Sequence, residues 1–369
     1  YLLNSRVGLL THDACRTSDN VPTRLAVASA IGSAMGNASG RTGLVTLFSP
    51  EHGIASDAAA GAAVDDSVDA ATGLPVISLY CQHQYIEPDL LDGLDIILVD
   101  LRDVGVRCFT YAATAAQLAA AAARVPSTPE LIVCDRPNPL GKATAGPPLD
   151  PELRSLVAWF DVPFVHGSTI GGLLDAEARR RGYPRPRVFA GADNASGYAT
   201  SPWIPPSPAL DHPDAVRLYS GLVLLEATNL DEGRGTPVPF RSVAAPWLDT
   251  AALAADVARW GLPVTTRQSA LAPAVGNYAG QRLPALEFTI PTGAAGCCST
   301  AAVPFDSFAF GVRLLCTIAA RHCEFSWTQV PAGGATARFG IDSLLGNAGL
   351  RTAMAAGDDA DTILARWQH

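Results

Sequence analysis

Five short apolar runs constrain what this chain can become: Arg6–Thr11 (RVGLLT), Gly43–Phe48 (GLVTLF), Leu74–Tyr80 (LPVISLY), Leu94–Leu101 (LDIILVDL) and Glu130–Asp135 (ELIVCD). Each is apolar nearly throughout rather than alternating, so each reads as a strand buried on both faces. Between them lie helical stretches. Val21–Met35 carries apolar residues at helical spacing, and the alanine-rich segment Tyr111–Val125 reads as a packed helix. Buried strands alternating with helices predict an α/β, Rossmann-like, doubly wound N-terminal domain. The proline-rich stretch Ser201–Pro213 (SPWIPPSPALDHP) reads as a boundary loop. It sets the domains at residues 1–212 and 213–369, the second a smaller α/β or α+β unit. Helices are expected there over Leu248–Trp260, Phe305–Arg321 and Ala360–Trp367, with the apolar run Gly221–Thr228 leading into a polar loop, Asn229–Thr236.

Several function classes are disfavoured. No run approaches the ~20 apolar residues that span a bilayer, so no membrane insertion is expected. The net charge is −9 and Lys/Arg residues form no block, which argues against nucleic acid. The eight cysteines show no zinc-ligand spacing, so no metal is expected; Cys108 and Cys134, inside apolar runs, read as buried free thiols, and the adjacent Cys297 and Cys298 would be hard to bridge. There is no GxSxG elbow, Walker A loop or HExxH. The first strand–helix turn reads Thr11-His12-Asp13-Ala14-Cys15, without the glycines that hold a dinucleotide. Chemistry by carboxylate, histidine and arginine, without a cofactor, is what remains. No signal peptide is visible, and the compartment, cytoplasmic or exported, stays open, as does the oligomeric state.

Ligands of open α/β sheets bind beyond the carboxyl ends of the strands. After the second run come Glu51 and His52; after the fourth Asp100, Arg102, Asp103 and Arg107, leading to Tyr111; after the fifth Asp135, Arg136 and Asn138; and further on His166. Bland readings stand beside each. Glu51 follows a proline and equally suits a helix cap, Asp103 could pair with Arg107, and Asp135-Arg136 could brace a turn. Asn229, Glu232 and Arg234 lie in a turn of unusual charge density.

The pattern as a whole resembles the NamZ-type exo-β-N-acetylmuramidases of peptidoglycan turnover. The likeness runs through Val7–Thr11, Leu47–Ile54 (LFSPEHGI), Gly73–Tyr80, Asp103–Arg107, Thr110-Tyr111, Asp135–Gly141 (DRPNPLG), His166–Gly171, Leu225–Thr236 (LEATNLDEGRGT), Ala245–Trp247 and Ile341–Gly346. The resemblance implies an active site between a Rossmann-like domain and a smaller one, and release of terminal N-acetylmuramic acid from fragments such as MurNAc-GlcNAc. It implies Glu51 as general acid/base, with Asp103, Asp135 or Glu232 as the second carboxylate. Arg107, Arg136 and Arg234 are candidates to grip the lactyl carboxylate; His52, Tyr111, Asn138, His166 and Asn229 are expected to line the sugar. Four positions depart from the family: His12 replaces an asparagine, Arg102 a glutamine, Phe109 (preceded by Cys108) a tyrosine, and Gly172 a glutamate. They leave room for a glycosidase of another N-acetylated or acidic sugar, or for a non-catalytic muropeptide-binding protein.

Overall fold

In the computed structural model, which describes residues 2–32, 42–80, 86–191, 203–291, 305–330 and 337–367, the apolar runs become strands of one sheet. These are β1 (Arg6–Thr11), β2 (Gly43–Ser49), β3 (Ser67–Val68), β4 (Pro75–Ser78), β5 (Ile96–Asp100), β6 (Glu130–Asp135) and, after the short β7 (Thr144–Ala145) and β8 (Val165–His166), β9 (Arg187–Ala190). Their order is β3-β4-β2-β1-β5-β6-β9. Every pair is parallel except β3 with β4. The chain winds outward from β1 through β2 and β4, then returns to β5 and winds the other way, so strand order reverses between β1 and β5. That reversal opens a crevice at their carboxyl ends.

Alternation of side chains supplies both faces of the sheet. Val7, Leu9, Leu44, Leu47, Ile96 and Leu98 pack on one face with Val27 and Ala28 of α1 (Thr23–Ile31). Leu10, Phe48, Ile97, Val99, Leu131 and Val133 pack on the other, under α2 (Thr110–Ala122) and α3 (Ile170–Arg181). Met35, within the expected first helix, lies outside the described residues, as do Cys297 and Cys298. Cys108 is buried, but Cys134 is exposed, because it stands beside β9, an edge strand whose four residues are all exposed.

The second half is α+β. A three-stranded antiparallel sheet, β10 (Ser242–Ala244), β12 (Leu283–Thr289) and β11 (Thr265–Leu271), packs with α5 (Thr250–Arg259). α4 (Pro213–Leu222) crosses α6 (Ser307–Arg321) where Gly221 meets Gly311. A Cβ on Gly221 would run into the Ser307 carbonyl, and one on Gly311 into the Gly221 backbone. Ser307 Oγ seals the crossing, accepting from Gly221 N–H at 3.1 Å and donating to the Leu218 carbonyl at 2.7 Å. α4 then tightens into a 3-10 turn, Val223–Ala227, and α7 (Gly340–Leu345) packs against it.

The proline-rich stretch, seen from Trp203 onward, is packed against the first half. Pro206 accepts a hydrogen bond from the fully buried Tyr111 hydroxyl at 2.7 Å, and the Trp203 indole N–H donates to Leu210. One apolar cluster runs through β5, α2, α3, α4 and α6 on both sides of that stretch.

Candidate active site

β2 ends at Ser49, and the turn behind it presents Glu51 and His52 at the rim of the crevice. His52 has φ 71°, a left-handed conformation uncommon for any residue but glycine. Its Nδ1 lies 2.7 Å from the Ala58 carbonyl, which needs a proton on that nitrogen and leaves Nε2 as the acceptor. Burial foremost, and then Arg234, hold the ring below its usual pKa against the opposing pull of Ala58 and Glu51, so it is neutral at physiological pH. Both Glu51 oxygens are engaged: Oε1 accepts from Gly61 N–H at 2.9 Å and Oε2 from the Thr110 hydroxyl at 2.7 Å. Thr110 opens α2, so the glutamate is tied to the first turn of that helix.

Across the crevice stands the turn Asn229–Thr236. Arg234 stacks on the Phe240 ring at 4.8 Å and reaches two carboxylates, Glu226 Oε1 at 2.6 Å and Glu232 Oε1 at 3.2 Å. Burial works against its charge, but the two glutamates outweigh that and hold it firmly cationic. Glu226 sits above the buried Tyr219 and Cys108, themselves 3.9 Å apart. Burial first, and then the charges of Glu232 and Glu51, push Glu226 up to about 7 although Arg234 pulls the other way. Asp231 is pushed up to about 6, chiefly by burial, while its Oδ1 braces the turn by accepting from Gly233 N–H at 2.8 Å. Glu51 and Glu226 feel each other's charge, as do His52 and Arg234, so the two rims form one electrostatic unit.

Other residues that the sequence pointed to are committed elsewhere. Arg107 is 3% exposed and its guanidinium caps the carbonyls of Pro147, Val162 and Leu345, which tie the first half to α7; burial lowers it to about 10. It therefore makes no pair with Asp103. Asp103 instead lies 3.0 Å from His166 Nε2, whose Nδ1 accepts from Ser168 N–H. Tyr111 is buried and forms the ring floor under His12 and His52. Asp135 holds the start of α3 through Gly171 N–H and the Thr169 hydroxyl, so it braces a distant helix rather than its own turn. Arg136 forks onto Asp100 at 2.6 and 2.9 Å. Asn138 joins Ser168 and Leu140, and Asn229 joins Glu324 and Ser326, each with both ends of its amide. Each of these side chains is engaged by protein partners. His12 is 1% exposed and bridges Ser56 to the Arg102 amide, so it belongs to the core rather than to the lining. Gly172, at the exposed start of α3, has the Ser168 hydroxyl 2.6 Å from where a Cβ would stand.

Comparison with known proteins decides the family. The models of the N-terminal and C-terminal domains of exo-beta-N-acetylmuramidase NamZ match residues 7–214 and 217–369. This chain belongs to the NamZ family. Its similarity to the peptidoglycan beta-N-acetylmuramidase NamZ of Bacillus subtilis (strain 168) is 30% identity over all of this chain and 84% of that one. Two crystal structures of DUF1343 family proteins from Bacteroides fragilis NCTC 9343 share the fold. One has TM-score 0.77 and 24% identity, covering 99% of this chain and 90% of its own; the other has 0.67 and 23%, covering 100% and 90%. Within the NamZ framework, Glu226 joins the group around Arg234 without having been singled out in the sequence, and Thr110, named there only beside Tyr111, holds Glu51. A lone carboxylate inside the apolar run Gly221–Thr228 was the available signal for Glu226.

Proposed function

We propose that the chain is an exo-β-N-acetylmuramidase that releases N-acetylmuramic acid from the non-reducing ends of peptidoglycan fragments such as MurNAc-GlcNAc. The observation that carries this reading is the match to the NamZ family along nearly the whole chain; the mutual electrostatic influence of Glu51, His52, Glu226, Glu232 and Arg234 supports it. Glycoside cleavage needs one carboxyl group that can donate a proton and another that supports positive charge at the anomeric carbon. Glu51 is one member of that pair. Arg234, held between Glu226 and Glu232 and still partly exposed, is the cation this reading assigns to the lactyl carboxylate.

The test is direct. Incubation of the purified chain with MurNAc-β-1,4-GlcNAc and with GlcNAc-β-1,4-MurNAc, followed by mass spectrometry, should yield free sugars from the first only. Glu51→Gln should lose at least about a hundredfold in turnover while unfolding at the same temperature. Cleavage of the second disaccharide, or an unimpaired Glu51→Gln variant, would overturn the reading.

A further inference from the structure

Glu226 and Glu51 differ in how their oxygens are occupied. Both oxygens of Glu51 accept hydrogen bonds, one from a backbone N–H and one from a hydroxyl. Glu226 is bound on one side only. Its Oε1 is buried in an ion pair with Arg234 at 2.6 Å that lacks hydrogen-bond alignment, no hydrogen bond reaches its Oε2 among the described residues, and its side chain is 26% exposed. It therefore has one oxygen directed at neither protein donor nor protein acceptor, in a cleft where a sugar would sit. The groups facing it are Arg234, Glu232, Glu51, Tyr219 and Cys108. Tyr219 and Cys108 are buried and hold their protons, so they add no charge. Three carboxyl groups around a single guanidinium leave an excess of negative charge, which one shared proton relieves.

We propose that Glu226 is the proton donor of the reaction and Glu51 the carboxylate that faces the anomeric carbon, an assignment that rests on the exo-β-N-acetylmuramidase reading above. As the C1–O bond breaks, its electron pair leaves with the departing oxygen, and the Glu226 carboxyl proton neutralises that oxygen as an alcohol. Glu51 supports the positive charge developing at C1. Water supplies the hydroxyl group to C1, and its remaining proton restores the carboxyl of Glu226, so each cycle consumes one water and leaves the protein unchanged. Glu232 and Arg234 are positioning residues in this scheme, and set how tightly Glu226 keeps its proton.

A proton donor matters in proportion to how poor the leaving group is. The experiment compares MurNAc-β-1,4-GlcNAc, whose departing sugar hydroxyl needs the proton, with 4-nitrophenyl β-N-acetylmuraminide, whose phenolate does not. Wild type should cleave both. Glu226→Gln should lose about 10²- to 10⁴-fold on the disaccharide and less than about tenfold on the nitrophenyl substrate. Glu51→Gln should lose both alike. Equal losses for Glu226→Gln, or none, overturn the assignment. Should Glu226→Gln fail to fold, Glu232→Gln decides: removing that neighbouring charge should shift the alkaline limb of the wild-type kcat/KM profile to lower pH, and an unmoved limb overturns the proposal. A wild type inactive on both substrates would instead refute the function itself.

Discussion

His12 gives the sharpest link between a buried side chain and a bulk measurement. The ring is 1% exposed, with Ser56 Oγ at 2.8 Å from Nδ1 and the Arg102 amide donating to Nε2 at 3.2 Å. Since Nε2 accepts, Nδ1 carries the proton, and a second proton would have no place to point. Burial above all, followed by the charges of Arg102, Arg136 and His52, lowers the pKa from 6.5 to about 3. A base whose folded pKa is depressed stabilises the fold above its unfolded pKa, and this contribution drains away as the pH falls from 6.5 towards 3. Between pH 7 and pH 5 the unfolded chain takes up nearly one more proton than the folded one, which removes about 2 kcal/mol. His12→Asn, which keeps a polar group of similar reach, should remove this contribution. The assay is urea unfolding of both proteins at pH 7 and pH 5. The wild type should lose about 2 kcal/mol more than the variant over that interval. Equal losses, within about 0.5 kcal/mol, would refute the claim that the folded state keeps this imidazole neutral.

Two further substitutions probe the path from packing to site. Gly311→Ala forces apart the helix crossing beneath Glu226 and should cost about 1–3 kcal/mol in urea unfolding, with a change under 0.5 kcal/mol showing that the crossing is loose. Thr110→Val removes the hydroxyl that orients Glu51 while keeping its shape; kcat should fall about tenfold or more with little change in melting temperature, and an undiminished kcat would mean that Glu51 needs no such support.

The parallel sheet was legible because β1, β2, β5 and β6 are buried on both faces and so carry unbroken apolar runs. β9 was not, since an exposed edge strand reading Arg-Val-Phe-Ala has no core to write its pattern. Local positions showed where charge gathers, which brought Glu51, His52, Glu232 and Arg234 into view. They could not show which polar groups turn inward to hold loops. Asn138 and Asn229 have the same sequence appearance as sugar-binding amides, and only the backbone carbonyls and amides brought to them by distant segments distinguish the two. Glu226 was hidden for the converse reason: the hydrophobic neighbours that raise its proton affinity also made it read as part of a core run.

The apolar cluster that joins β5 and α2 to α4 and α6 has a consequence for how sugar enters. Two units that met through a small polar interface could rock against each other and clamp a ligand. Here the rims carrying Glu51 and Glu226 are sides of one packed interior, with Arg107 bonded to the Leu345 carbonyl on the far side of it. The cleft is therefore a mould already set. Substrate choice would come from its fixed outline, and little of the binding energy would go into closing it.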